Sequence, residues 1–277
     1  MRIGQVAVTA LVDGRQDIGP IVEEFPDVPA EDLLAMRDRY PGIYGQDAAW
    51  RLTVRAWLIR HPGGLLLMDT GVGNADWFPA PGRLMEELAG SGVAAADIDT
   101  VLISHIHDDH IGGTMIAEDT PAFPNARYML QAADVDAQRT WAAQSEEDRD
   151  IWDRLLHPLL AGGVLDQVDG DSAITDLVRL QHAPGHTPGH QILHVEDAGE
   201  RLVITADTWN HPGQFAHPDW PSGADADHAA AAATRRALLP ILTADPAALL
   251  APTHFAEPFG RVVSGRSGAL EWVPHTP

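Results

Sequence analysis

Hydrophobic and polar positions along this chain switch between two periods, one that suits strands and one that suits helices. Leu52 to Arg60 and Leu65 to Met68 are apolar runs joined by His61-Pro62-Gly63-Gly64, which predicts a β-hairpin. The loop Asp69-Thr70-Gly71-Val72-Gly73 follows. Arg83 to Ala89 has helical spacing and stops at Gly90 and Gly92. Asp99 to Ser104 and Arg127 to Leu130 read as buried strands, and helices are predicted over Ala132 to Trp141 and Glu146 to Leu156. Further strands are predicted at Asp176 to Gln181, Gln191 to Val195, Arg201 to Thr205 and Ala248 to Ala251. An Ala-rich helix from Asp227 to Leu239 is predicted to end near Pro240. Mixed strands and helices of this kind point to an α/β (α+β) chain of layered sheets covered by helices. The segment from Asp13 to Trp50 differs, with Pro20, Pro26, Pro29 and Pro41 set among acids. It is expected to cap a site or contact a second subunit, with a surface loop as the alternative.

The 277 residues suffice for one domain with a sizeable core, and the sequence is read as a single domain, 1–277. Cysteine is absent, which rules out disulfides, thiolate ligands and a Cys nucleophile. Acidic residues number 40 against 18 basic, a formal charge of -22. Such a surface repels phosphate backbones and anionic lipid, so the expected partner is a small molecule, with no nucleic acid and no membrane. No run approaches ~20 apolar residues, and Met1 to Val6 does not read as a secretion signal. The cytoplasm is therefore the expected location, and a homodimer is allowed for.

Chemistry is concentrated in His105-Ile106-His107-Asp108-Asp109-His110, directly after the apolar run Val101-Leu102-Ile103-Ser104. Three imidazoles and two carboxylates crowded at a strand end point to a metal, because each loses hydration on burial and needs a partner. Three later strand-to-loop junctions offer more donors. Pro184-Gly185-His186-Thr187-Pro188-Gly189-His190 is a tight turn in which His186 or His190 could be the ligand. Asp207 ends the run Leu202 to Ala206, and is either a metal ligand or a solvated turn acid. His254 follows Leu249 to Thr253, with His211, His217 and His228 as competitors.

The ordered set His105-x-His107-x-Asp109-His110, His186, Asp207 and His254, with Asp69-Thr70-Gly71 upstream, resembles the metallo-β-lactamase superfamily. The resemblance implies a four-layer αββα sandwich with two divalent metal ions, usually Zn2+, with Mn, Fe or Co as alternatives. It implies that His105, His107 and His186 hold one metal. Asp109, His110 and His254 would hold the other, with Asp207 bridging. Two carboxylates and two divalent ions, with one bridging hydroxide, leave about +1 to oppose a developing oxyanion. The expected reaction is hydrolysis of a small ester-like substrate by that hydroxide, with Asp207 as proton carrier and Asp109 as its companion catalytic acid group. Asp69 would orient a ligand imidazole from behind, with a plain turn residue as the alternative, and Asp108 is either a bystander or a second such group.

Absences narrow the resemblance. There is no thiolate for a lactamase of that type, no added nucleic-acid-binding or flavodoxin module, and too little chain after His254 for a glyoxalase-II-type helical region. What remains resembles the branch of quorum-quenching lactonases and methyl parathion hydrolase. The expected substrate is a lactone, aryl ester or phosphotriester; the alternatives are an acyl-carrier or other thioesterase and a non-catalytic metal or small-molecule binding protein. Lactonases of that branch carry a Tyr three residues beyond the bridging Asp, where this chain has Asn210. Trp77, Phe78, Trp209 and Asn210 are the candidate substrate contacts, with Trp152 and Phe215 as further candidates for an apolar wall.

Overall fold

Two seven-stranded sheets take the chain in turn in the computed structural model, which describes residues 1–76 and 78–275. The first sheet is built from β1 (Arg2–Ile3), β2 (Val6–Pro20), β3 (Ala49–His61), β4 (Gly64–Met68) and β5 (Thr100–Leu102). After a small hairpin, β6 (Met115–Ala117) and β7 (Thr120–Pro121), it is completed by β8 (Arg127–Gln131) and β9 (Leu165–Val168). The second sheet holds β10 (Ser172–Ala173), β11 (Val178–His182), β12 (Gln191–Asp197), β13 (Glu200–Ala206), β14 (Leu249–Pro252), β15 (Gly260–Ser264) and β16 (Leu270–Pro274). Strands β4, β5, β8 and β9 run parallel, as do β13 and β14; the other pairs are antiparallel.

The helices are α1 (Ile21–Glu24), α2 (Ala30–Ala35), α3 (Leu84–Gly90), α4 (Asp108–Ile111), α5 (Ala132–Trp141), α6 (Glu146–Ile151), α7 (His157–Ala161) and α8 (His228–Thr243). Strand periodicity sorts the side chains into layers. Ile59, Leu66, Met68 and Leu102 of the first sheet meet Leu193, Leu202, Ile204 and Leu249 of the second. Their neighbours Leu58, Leu67 and Val101 face outward against Leu84 and Leu88 of α3 and Leu159 of α7. On the far side, Ile192, Val203 and Leu250 pack against Leu238, Leu239 and Leu242 of α8. The expected αββα order is thus met. No helix among the described residues is long and apolar enough to cross a membrane.

Three elements differ from the reading of the sequence. Residues 13–20 are not loop but the second half of β2, paired with β3 through two register shifts, Val12/Gly14 and Asp17/Pro20. Bulges interrupt alternation, so the local pattern hides a strand that its partner specifies. The helix expected to end near Pro240 continues to Thr243. Burial of Leu239 and Leu242 offsets the lost hydrogen bond, a cost of about 3 kcal/mol in a helix interior. The helix expected over 146–156 passes into a π-helical turn at Trp152–Leu156 before Pro158, which lacks the N–H for a regular continuation.

Candidate metal centre

The ends of β4, β5, β11, β13 and β14 lie at one edge of the sandwich, and each runs into a loop with a donor or its support. Such carboxyl ends are where layered α/β folds bind ligands. From β5 the chain turns through Ser104 and His105 into α4, delivering His105, His107, Asp109 and His110 within two turns of backbone. The turn after β11 presents His186, β13 ends beside Asp207, and β14 leads to His254. A Cβ on Gly185 would sit 2.1 Å from the backbone nitrogen of Ala231, so glycine lets the His186 turn press against α8.

All seven expected ligands converge. His105 Nε2 and His186 Nε2 each lie 3.0 Å from His107 Nδ1. Asp109, His110 and His254 form a second group, whose donor atoms lie within 4.8 Å of one another. Asp207 stands between the groups: one carboxylate oxygen is 3.5 Å from His186 Nε2 and 2.8 Å from His254 Nε2, and the other is 3.3 Å from His110 Nε2. Donors around a tetrahedral zinc with ~2.05 Å bonds are about 3.3 Å apart, so these spacings suit a shared cation. His110 Nε2 and Asp207 Oδ1 are buried with no hydrogen-bond partner, which is costly unless something positive sits between them. The donor set and its orphaned atoms therefore fit two divalent ions.

The electrostatics fall into two halves. Burial, then the neighbouring imidazoles, hold His105 and His107 well below the ordinary histidine value, leaving their lone pairs free. Burial opposes charge on His110 and His254 too, but Asp109 and Asp207 outweigh it and raise both. Burial would raise Asp207, yet His254 and His110 pull it well below the usual carboxylate range. Positive charge thus collects beside Asp109 and Asp207, where a cation would replace protons.

Three of the five candidate imidazoles, His110, His254 and His186, are oriented from behind by oxygen acceptors. His110 Nδ1 meets Asp69 Oδ2 at 2.8 Å, and Asp69 Oδ1 accepts from Ser104 N at 2.7 Å. His254 Nδ1 donates to the Thr53 carbonyl at 2.9 Å. His186 Nδ1 donates to Asp225 Oδ1 at 3.0 Å, and Asp225 Oδ2 accepts from Ser222 N at 3.0 Å and faces Arg235 Nη1 at 3.4 Å. Asp134 anchors the same turn through Thr187 Oγ1 and Gly189 N; burial pushes its carboxyl up to about 6. Fixing the distal ring nitrogen sets both tautomer and direction.

Sequence reasoning missed Asp225, Arg235 and Asp134. The one available signal was on α8, where Arg235 interrupts the buried stripe Ala231, Ala232, Leu238, Leu239 and Leu242. His190 lies outside the ligand group: its Nδ1 donates to the Ala183 carbonyl and its Nε2 accepts from Asp207 N. His211 is buried against Tyr44, 3.0 Å from the phenol oxygen, while His217 stacks on Trp220 and His228 begins α8.

The candidate substrate contacts are placed unevenly. Trp77 lies outside the described residues. Trp209 is fully buried and stacks on Phe215 at 4.9 Å; Asn210 is buried, and its side-chain oxygen has no partner. Phe78 is buried in the core with Val72, and Trp152 lies beneath Arg139 on the helical layer. At the start of β3, Trp50 meets the His254 ring edge-on at 5.9 Å, while Phe25, before β3, packs on His211 at 5.6 Å, outside the ligand group. Beside α4 opens a cleft of about 830 Å³, with Val72, Met115, Ile151 and Leu155 among its walls.

Comparison with known proteins agrees with this geometry. The family described as Metallo-beta-lactamase superfamily matches residues 49–254, well over half of the chain. An N-acyl homoserine lactonase of Bacillus cereus is 26% identical over 201 residues, 66% of this chain and 74% of the relative. The solved structure of AidC, a dizinc quorum-quenching lactonase with a product bound, superposes with TM-score 0.86 at 25% identity, covering 100% of this chain and 97% of the other. The hydrolase AbOPH superposes equally well, TM-score 0.86, with the same coverage at 23% identity, a likeness of fold.

Proposed function

Because the chain belongs to the metallo-beta-lactamase superfamily and is a metal-dependent hydrolase, we propose that it opens or cleaves a small neutral ester, with a lactone as the first candidate. The observation that carries this reading is Asp207, one of whose oxygens faces His186 of the first group and His254 of the second while the other faces His110. In this reading His105, His107 and His186 would hold one divalent ion, Asp109, His110 and His254 would hold the other, and Asp207 would contribute to both. Zinc is the ion to try first; an N/O donor set alone does not select it. When bound, two such ions would supply a water whose pKa is lowered to about 7 and a Lewis acid for an ester carbonyl.

The chain's own residues supply the rest. Asp207, buried and facing both groups, takes the proton from the attacking water and returns it to the leaving alkoxide. Asp109 keeps its carboxylate 3.5 Å from His110 Nε2 and 3.6 Å from His254 Nε2, on the more open side of the centre. The cleft beside α4 has the size for an acyl or aryl group, with Val72, Met115, Ile151 and Leu155 as its apolar contacts and acids such as Glu118, Glu147 and Asp150 on the rest of its wall. Residues 13–50 are read as the segment of this single domain that shields the centre, through Trp50 against the His254 ring.

Hydrolysis of a panel of lactones, aryl esters, phosphotriesters, thioesters and β-lactams, with metal content measured alongside, tests the proposal. N-acyl homoserine lactones belong in the panel because the similar proteins act on them, and Asn210 in place of the Tyr makes the outcome informative. Turnover of lactones or aryl esters that vanishes on chelation is expected. Turnover confined to thioesters, or binding without product, would replace this reading with one of its alternatives.

A further inference from the structure

Asp13 is an acid buried to 1% exposure, with no part in the chemistry described above. It sits where β2 bulges against β3, between Val12 and Gly14. The bulge aims its carboxylate into the loop after β4. One oxygen accepts from Val72 N at 2.8 Å, and the other accepts from Leu84 N, at the start of α3, at 2.7 Å. Two glycines make room for it. A Cβ on Gly71 would come within 2.1 Å of this carboxylate, and one on Gly82 within 2.5 Å.

The loop so held is short and grips the metal centre. Asp69 receives His110 Nδ1 at 2.8 Å, while Thr70 N and Thr70 Oγ1 donate to the His110 carbonyl at 2.8 and 3.0 Å. Asp69 and Gly71 have φ of 66° and 72°, in the left-handed region. For Asp69 that conformation is unfavourable by roughly 1–2 kcal/mol, so residues 69–72 need fixing at both ends. Strand β4 fixes one end, and Asp13 fixes the other.

We infer that Asp13 is a positioning residue for the Asp109–His110–His254 half of the centre, acting through residues 69–72. The inference rests on the two-metal reading proposed above. The loop touches His110 directly and reaches His105 only one step further out, through Ser104, whose hydroxyl lies 2.9 Å from Asp69 Oδ2 and 3.0 Å from His105 Nδ1. The larger loss therefore falls on the Asp109–His110–His254 half, and the two halves are separable by experiment. Outer groups that orient a ligand typically account for 10–100-fold in metal affinity, and a group one step further out falls at the lower end.

The test is a zinc titration of the full chain, stripped of metal, in competition with a chromophoric chelator, with cobalt absorption spectra as a second readout. Asp13→Asn turns an N–H donor toward Val72 or Leu84 and is expected to weaken the second zinc about tenfold, with the first within about twofold. Gly82→Ala leaves the charge in place but displaces the carboxylate, and covers the case in which Asp13→Asn does not fold. It is expected to act in the same direction. Unchanged affinity for both ions, or equal loss of both, overturns the inference. A wild-type chain that takes up a single zinc would instead sink the two-metal reading.

Discussion

Replacing Asp225 with Asn changes one atom of a buried side chain, yet it is expected to weaken the metal held through His186 by about ten- to hundredfold. The carboxylate accepts from His186 Nδ1 at 3.0 Å and from Ser222 N at 3.0 Å, and faces Arg235 Nη1 at 3.4 Å. All three neighbours present donors. In either orientation of the amide, its NH2 group therefore confronts a donor. If it faces His186, the ring loses its acceptor. If it faces Arg235, the ring keeps an oxygen without the negative charge that made it a better electron donor. A hydrogen bond to a charged group contributes about 1.5–3 kcal/mol, and each 1.4 kcal/mol is about tenfold in binding. Measured effects of such outer partners cover the same range, 10–100-fold. Arg235 limits the damage to folding, because it also donates to the carbonyls of Pro218 and Trp220 at 2.8 and 3.1 Å.

The measurement is a two-site zinc titration at neutral pH, comparing wild type with Asp225→Asn and Asp225→Ala. Loss should concentrate in the ion proposed to sit among His105, His107 and His186, and Ala should exceed Asn because it leaves His186 Nδ1 without any protein acceptor. An unchanged first-site affinity in both variants would refute the orienting role of Asp225. Parallel weakening of both ions would show that the substitution loosens the fold as a whole.

Other consequences are open to direct measurement. His107→Ala and Asp109→Ala each remove a donor from a different ion and should cut hydrolysis by more than about a hundredfold, with zinc per chain falling from about two toward one; activity kept with full metal content would exclude them as ligands. Chelation should lower thermal stability, since an ion held at a thousand times its Kd contributes about 4 kcal/mol, and added zinc should restore the melting temperature. His211, pushed down to about 3 by burial, predicts an acid response of known sign. Unfolded, its imidazole takes up a proton below about 6.5 and the folded one does not. Its contribution is full above that pH and is lost progressively as pH falls toward 3. In chelator-treated protein, the stability gap between wild type and His211→Gln should narrow by about 2 kcal/mol from pH 7 to pH 5 in urea melts; a constant gap would contradict it.

What could be read from the sequence were features that depend on neighbours in the chain. The hairpin of β3 and β4, the buried β5 and the donor-rich turn at 105–110 all follow from local pattern, as does the helix start at Asp227, whose side chain accepts from Ala230 N. Features set by distant partners escaped. Residues 13–20 form a strand only because β3 supplies its edge, and bulges erase the alternation that would have marked it. Asp225 looks like any turn acid until the fold brings it to His186, 39 positions away. Arg235 escaped as well, although a charge within an apolar helical stripe needs a buried partner and so left a signal in the chain itself.

The division of the proposed ligands between the sheets explains why metal and fold should be coupled. His105, His107, Asp109 and His110 come from the end of the first sheet, and His186, Asp207 and His254 from the second. Each group of donors therefore includes side chains from both sheets, so either ion would join the sheets at this edge. Behind the centre, Met68, Leu102, Ile204 and Ala251 already hold the sheets together by apolar contact. At the edge itself the facing groups are imidazoles and carboxylates, whose burial is unfavourable without a cation. Metal loss should then open the edge while the inter-sheet core persists. Amide exchange would report this as lost protection at residues 104–112 and 183–190, with β12 and β13 still protected. Uniform loss across both sheets would mean that the ions stabilise the whole sandwich, with no local hinge at its active edge.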